Sequence, residues 1–309
     1  MNRLTANSLM VLTAVIWGVG FVAQKVAADH IGPTTFIAAR LFLGALVVLP
    51  VAVLHWRARQ AAVSLKDWAM MAMTGLIMCG ASITQQLGVA ETTVANTGFL
   101  TGLYVPLVPL IELIILRKKP HPIIWPAAAL SVLGTTLMSG GGELAFGWGD
   151  AQIIVSSVFW AAHIIMVGYC SNRTGLPTVL AVVQYLVCAT ICSLWAAAFE
   201  PAIAAGLVAA WKEIAFIGVL EVGLAYTLQA VVQRHTGAAD AAILLSSEVL
   251  FTMLSGMIFL GERMSLTQVV GGLAILAAML AVQLGPLLSP GRFLERVVRR
   301  FKGSTAGIL

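Results

Sequence analysis

The sequence predicts an all-α integral membrane protein, with ten transmembrane helices arranged as two inverted five-helix repeats around a central cavity. Three observations carry this expectation. Hydrophobic residues fill 60% of the 309 positions and charged residues only 10%, too little polar surface to cover a water-soluble domain. Apolar runs recur at the length that a hydrocarbon core of about 30 Å demands, roughly 20 residues each. The same residues also return at one fixed spacing, which marks a duplicated unit.

The ten runs lie at 8–28, 34–54, 68–88, 93–116, 122–140, 150–170, 177–198, 214–232, 237–260 and 266–286. They do not alternate in short segments as the strands of a membrane β-barrel do. The first run follows Arg3, like the core of a signal peptide, but it exceeds the roughly 7–15 apolar residues of such a core, and nine spans follow. It therefore reads as a retained helix. Cys79, Cys170, Cys188 and Cys192 all fall within runs or at their ends, without CxxC or Cys/His metal spacing. They read as small core hydrophobes, and neither a metal nor a cofactor is expected.

The basic residues orient the helices. With both termini in the cytoplasm, 14 of the 18 Lys and Arg fall on inner loops and tails, from Arg3 and Arg57 through Arg117, Lys118 and Lys119 to Lys302. Two fall outside, Lys212 and Arg263, and two within spans, Lys25 and Arg40. This positive-inside bias fits an even number of spans in the cell (inner) membrane. The net charge of +5 thus reports topology, and no nucleic-acid motif accompanies it.

The duplication is legible in "AVIWGVGFVAQK" (14–25) and "SVFWAAHIIMVGYC" (157–170), whose Trp17 and Trp160 are 143 residues apart. The same offset relates Trp68 to Trp211, Gln86 to Gln229, Gly32 to Gly175 and Thr93 to Thr236 without a gap. The units are 1–142 and 143–290, followed by a tail at 291–309. Five helices is an odd number, so the second unit enters the membrane the other way up. Inverted repeats of this kind build secondary transporters, with the substrate site near the midplane between the halves.

At these residues the chain resembles the drug/metabolite transporter superfamily, in its ten-helix EamA branch. The resemblance rests on "WG" at 17–18, on Pro33 followed by Arg40, and on "LSSEVLFTMLSGMIFLGERMSLTQVVGGLAIL" at 245–276. It spans 8–286, with one departure: Val249 stands where the family usually has a proline after the glutamate. The resemblance implies a basket of helices around a central cavity, the fifth and tenth at the periphery, and the export of small metabolites, commonly amino acids. The aromatic-rich interior is similar to YddG-type amino-acid exporters.

Polar side chains at membrane depth are costly and each calls for a partner or a task. Candidate substrate-binding residues are Trp17, Ser82, Gln86, Tyr104, Trp160, His163, Tyr226, Gln229, Ser246 and Glu248. Glu248 sits mid-helix as a site for a substrate amine or a proton, or as a carboxyl held by neighbouring helices. Glu221, two turns from the outer end of its helix, and His163, one turn after Trp160, are the other proton-coupling candidates. Gln86 and Gln229 recur by the duplication and suggest a matched pair of amide ligands. Lys25 and Arg40 are expected to snorkel to the interface. The tail "RFLERVVRRFK" (292–302) places its arginines opposite Phe293, Val297 and Phe301, as for a helix lying on anionic lipid.

An intramembrane enzyme is the reading of a different class. "GWGD" (147–150) matches the GxGD of membrane aspartyl proteases, whose chemistry needs a second aspartate. Asp29, Asp67 and Asp240 all lie in loops or at span ends, so Asp150 reads as an N-cap and no enzyme activity is expected. Among transport readings, a zwitterion suits aromatic surfaces beside amides and one carboxyl. The expected function is export of neutral or aromatic amino acids by a monomer through alternating access; proton-coupled export of lipophilic cations is the alternative.

Overall fold

The structure is a computed structural model that describes residues 1–58, 62–138, 147–201, 203–260 and 265–288. The amphipathic tail expected at 291–309 lies outside the described residues. Several helices begin where the sequence supplies a start signal. The side chain of Asn2 caps α1 (Arg3–Ala28), Ser64 caps α3 (Leu65–Glu91), and Pro33 opens α2 (Pro33–Arg57) at a position whose N–H is not needed.

The fourth span is broken into α4 (Val94–Thr101) and α5 (Tyr104–Ile114). The break at Gly102 and Leu103 precedes Pro106, which has no N–H to return to the Gly102 carbonyl. Next come α6 (Ile124–Met138), α7 (Trp148–Thr174) and α8 (Pro177–Phe199); Gly175, at φ 68°, turns the chain between the last two. A short helix that the sequence did not announce, α9 (Ile203–Ala209), precedes the eighth span. That span runs from α10 (Trp211–Phe216) through a π-helix (Ile217–Tyr226) into α11 (Thr227–Val232).

The ninth span also breaks, into α12 (Ala238–Leu245) and α13 (Glu248–Leu260), although Val249 replaces the family's proline. Here serines do the work. The hydroxyls of Ser246 and Ser247 donate back to the Ile243 and Leu244 carbonyls at 2.7 and 2.8 Å. Val249 N–H reaches only to Ser246 O, a tighter bond than α-helical spacing gives. The last helix is α14 (Leu266–Leu288).

Seven of these spans are long and apolar enough to cross a membrane, and Ile124–Leu137 and Leu266–Val282 are shorter apolar helices. The tenth, α3, has 27 residues and carries Ser82, Thr84, Gln85 and Gln86 among its apolar ones. Among the described residues the fold is all-α. Helix α3 packs on α7, α2 on α8, α1 on α13 and on the π-helix, and α6 on α14 at the side. Two glycines let helix backbones meet. A Cβ on Gly18 would stand 2.6 Å from Phe251 Cβ, and one on Gly134 2.6 Å from Gly271 O, so α1 meets α13, and α6 meets α14, almost backbone to backbone.

Candidate functional site

A narrow cavity with about 380 Å³ of empty space lies where α1, α3, the broken fourth and ninth spans, α7 and the π-helix converge. Its wall joins Trp17, Phe21 and Gln24 of α1 to Gln85 of α3, with Thr101 and Tyr104 flanking the α4–α5 break. Opposite stand Trp160 and Ile164 of α7, Glu221 and Tyr226 of the π-helix, Gln229 of α11, and Glu248 at the start of α13.

Aromatic rings form one end. Trp17 lies against Tyr226 with ring centroids 4.7 Å apart, and Trp160 stacks on the same Tyr226 at 5.8 Å and 20°. The two tryptophans related by the 143-residue offset therefore meet on a single ring. His163 stands edge-on to Trp160 at 5.4 Å and to Tyr226 at 6.2 Å. Its Nε2 bonds to Gln184 Oε1 at 2.9 Å. The imidazole supports the aromatic group from behind and does not line the cavity.

A charged group forms the other end. Gln24 Nε2 donates to both oxygens of Glu221 at 3.3 Å, and Arg40 Nη1 approaches Oε1 at 3.4 Å. Gly20 makes this nest possible, since a Cβ there would fall 2.1 Å from Glu221 Oε2. At the equivalent position of the second unit stands His163. The expectation that Arg40 snorkels is thus corrected: Glu221, near the outer end of its span in sequence, and Arg40 are both buried, at side-chain exposures of 3% and 2%. The cause is the π-helix. An α-helix sets residues five apart on different faces, but i→i+5 winding brings Glu221 round to the side of Tyr226.

Among the described residues, several polar atoms around the cavity have no well-formed hydrogen bond: the indole N–H groups of Trp17 and Trp160, both amide atoms of Gln229, and Tyr104 OH and Glu248 Oε1, although these last two side chains lie within reach of each other. Buried polar groups are ordinarily satisfied, so this wall offers spare donors and acceptors together. Of the residues singled out from sequence, Trp17, Tyr104, Trp160, Glu221, Tyr226, Gln229 and Glu248 converge here. Ser82 and Ser246 do not. Ser246 instead meets Ser131 Oγ at 2.8 Å. Gln86 donates to Gln24 O at 3.3 Å and fastens α3 to α1, so only Gln229 of the expected amide pair lines the cavity. Its neighbour Gln85 takes that place, donating to Thr101 Oγ1 at 3.3 Å. Phe21, Gln24, Gln85, Thr101 and Ile164 were missed by the sequence reading. Gln24 and Gln85 were visible there as uncommon amides at membrane depth.

Polar contacts tie the helix ends above the Glu221 group, on the side opposite the basic loops. Lys25 Nζ donates to the carbonyls of Val89, Ala90 and Thr92 at 2.9–3.0 Å, closing the C-terminus of α3. It binds a helix end rather than snorkelling freely. Asp150 is the third residue of α7 and Gly147 its N-cap, which corrects the expected cap. Asp150 accepts from Gly147 N–H at 3.0 Å, and from Thr92 Oγ1 and Asn96 Nδ2 at 2.6 and 3.3 Å. At the opposite ends of the helices a wider vestibule of about 950 Å³ is bordered by Glu112, Lys118, Asn172, Arg173 and Gln233. Gln233 Nε2 donates to Ile164 O at 2.9 Å between vestibule and cavity.

The sequence model of the EamA-like transporter family matches residues 4–140 and again 147–284. The chain belongs to the EamA-like transporter family. It is a multi-pass membrane transporter of the drug/metabolite type, and that family membership points to transport rather than to enzyme chemistry. An "uncharacterized transporter" of Archaeoglobus fulgidus is 28% identical over 289 residues, which span 92% of this chain and 87% of that one. A crystal structure of a protein at 16% identity superposes with a TM-score of 0.72, covering 91% of this chain and 96% of the other. At that identity the likeness shows the fold.

Proposed function

We propose that this EamA-family transporter exports neutral and aromatic amino acids by alternating access across the cell (inner) membrane, with both termini cytoplasmic. In this reading, units 1–142 and 143–290 are inverted copies, and the helices around the cavity rock about it. The observation that carries the substrate class is the composition of the wall. Trp17, Trp160 and Tyr226 offer ring faces for an apolar or aromatic side chain. The unpartnered indole N–H groups and the Gln229 amide suit a carboxylate, and Glu248 Oε1 suits an ammonium group. A zwitterion uses both kinds at once. The vestibule on the basic, cytoplasmic side and the Lys25 closure opposite it support entry from the cytoplasm.

The test is efflux from proteoliposomes preloaded with labelled amino acids. Flux above protein-free liposomes is expected for Phe, Trp and Leu, with loss in Trp160→Ala and Glu248→Gln. Efflux of the whole panel at the protein-free rate removes the assignment. A second reading is favoured by one observation, the presence of two carboxyls, Glu221 and Glu248, on an aromatic wall. That pattern suits proton-coupled export of lipophilic cations, and tetraphenylphosphonium in the same assay separates the two. Coupling through Glu248 predicts a flatter pH dependence of flux in Glu248→Gln.

A further inference from the structure

Away from the cavity, three cysteines distant in sequence come together inside the bundle. Cys188 and Cys192 lie one turn apart on the same face of α8, and Cys79 of α3 faces them. All three sulfurs lie within 4.8 Å of one another, with Cys79 Sγ and Cys192 Sγ at 3.9 Å. The sequence concealed this group, because metal-site spacing is read along one chain segment and here the third ligand comes from a different helix.

We propose that Cys79, Cys188 and Cys192 form a three-coordinate sulfur site for Cu(I). Metal–thiolate bonds are about 2.3 Å long, so a planar three-sulfur site needs sulfurs about 4.0 Å apart. The observed separations meet that need with small side-chain rotations. Thiolate sulfur selects soft ions, Cu(I) and Zn(II) foremost. Zn(II) takes four ligands in closed sites, and no fourth His, Cys, Asp or Glu joins the group among the described residues. Three-coordination therefore favours Cu(I).

Cu(I) is held by thiolates, so binding of Cu⁺ releases all three thiol protons to solvent; the copper stays in the +1 state and the complex carries two negative charges. The Arg40 guanidinium is close enough to Cys192 for their charges to interact, and among the described residues its Nε has no hydrogen-bond partner. It also pairs with Glu221, so it offsets only part of the buried negative charge. Cys79, 5% exposed, is the member that reaches the protein surface.

The experiment titrates the purified, fully reduced chain in detergent, without oxygen, against Cu(I) held by the chromophoric chelator bicinchoninate. The expected result is transfer of one equivalent to the protein, three sulfur neighbours at about 2.3 Å in X-ray absorption, and a rise in unfolding temperature on loading. Cys79→Ala and Cys188→Ala each weaken binding at least about tenfold, since even changes outside the ligand sphere cost that much. Cys170→Ala, whose sulfur contacts Thr74 instead, leaves binding unchanged. A wild-type chain that takes no Cu(I) from the chelator overturns the proposal, as does equal uptake by the triple alanine variant. Should the alanine variants fail to fold, the wild-type stoichiometry and sulfur count decide alone.

Discussion

Replacing Arg40 by methionine tests whether a charge pair inside the bundle holds the fold together. Arg40 Nη1 lies 3.4 Å from Glu221 Oε1, with both side chains all but sealed from solvent. At an effective dielectric constant near 20, unit charges at that distance attract by about 5 kcal/mol. Desolvation offsets much of this, but removing one member of a buried pair still costs about 3–5 kcal/mol, because the other charge is stranded. In Arg40→Met the stranded group is Glu221, left with two long bonds from Gln24. In Glu221→Gln, Arg40 keeps the Phe36 ring at 5.3 Å, a contact worth about 1 kcal/mol. Arg40→Met should therefore lose about 3–4 kcal/mol and Glu221→Gln less, with the double variant better than their sum by about 1.5 kcal/mol or more. The assay is reversible unfolding of the purified chain in mixed SDS and mild-detergent micelles. A loss below about 1 kcal/mol for Arg40→Met, strictly additive with Glu221→Gln, is what a guanidinium reaching the interface gives, and it would refute the buried pair.

Three further outcomes follow from named contacts. Lys25→Met removes three charged-donor bonds to the end of α3 and should cost about 2 kcal/mol in the same titration; no change would mean that water serves those carbonyls equally well. Gly18→Ala sets a methyl 2.6 Å from Phe251 Cβ and 2.7 Å from Glu248 O, so α1 and α13 must part, at about 1–3 kcal/mol; unaltered stability would contradict the close crossing. Glu200, just beyond α8, supplies a pH dependence. Burial works against its charged form, but bonds from the hydroxyls and backbone N–H groups of Thr35 and Thr34 outweigh that and hold its carboxyl below the ordinary 4.5. Since the folded value lies below the unfolded one, this stabilisation is complete above about pH 4.5 and disappears as pH falls through the folded value. Unfolding measured from pH 6 to pH 3 should show a shallower acid loss in Glu200→Gln, and identical slopes would count against the bonds from Thr34 and Thr35.

Much of the fold was legible because lipid imposes simple demands. Hydrophobic run length located all ten spans, and the Trp17–Trp160 register exposed the repeat. The parts that escaped are those where the helix departs from its ideal form. The break at Ser246 and Ser247 carries no proline to announce it, since hydroxyl back-bonding does the same job through residues common in any helix. The π-helix left no periodic trace, so the sequence placed Glu221 only by its distance from the helix end and left Arg40 without a buried partner. The choice between Gln85 and Gln86 depended on the rotation of α3, which packing against α7 and α8 decides. Tryptophan, tyrosine and carboxylate candidates fared better, because large or charged groups in an apolar chain have few places to go.

Under the proposed alternating access between inverted copies, the divergence at Gly20 and His163 has a mechanical consequence. Two identical copies would leave such a device balanced, each extreme the mirror of the other and equally populated. Here one copy gives up a side chain to make room for an acid–base couple, while its counterpart fills the same space with a ring pinned to Gln184. In that proposed cycle, different bonds would be broken to tip the protein one way than to tip it back. A resting bias would then be written into the protein itself, independent of whatever it carries.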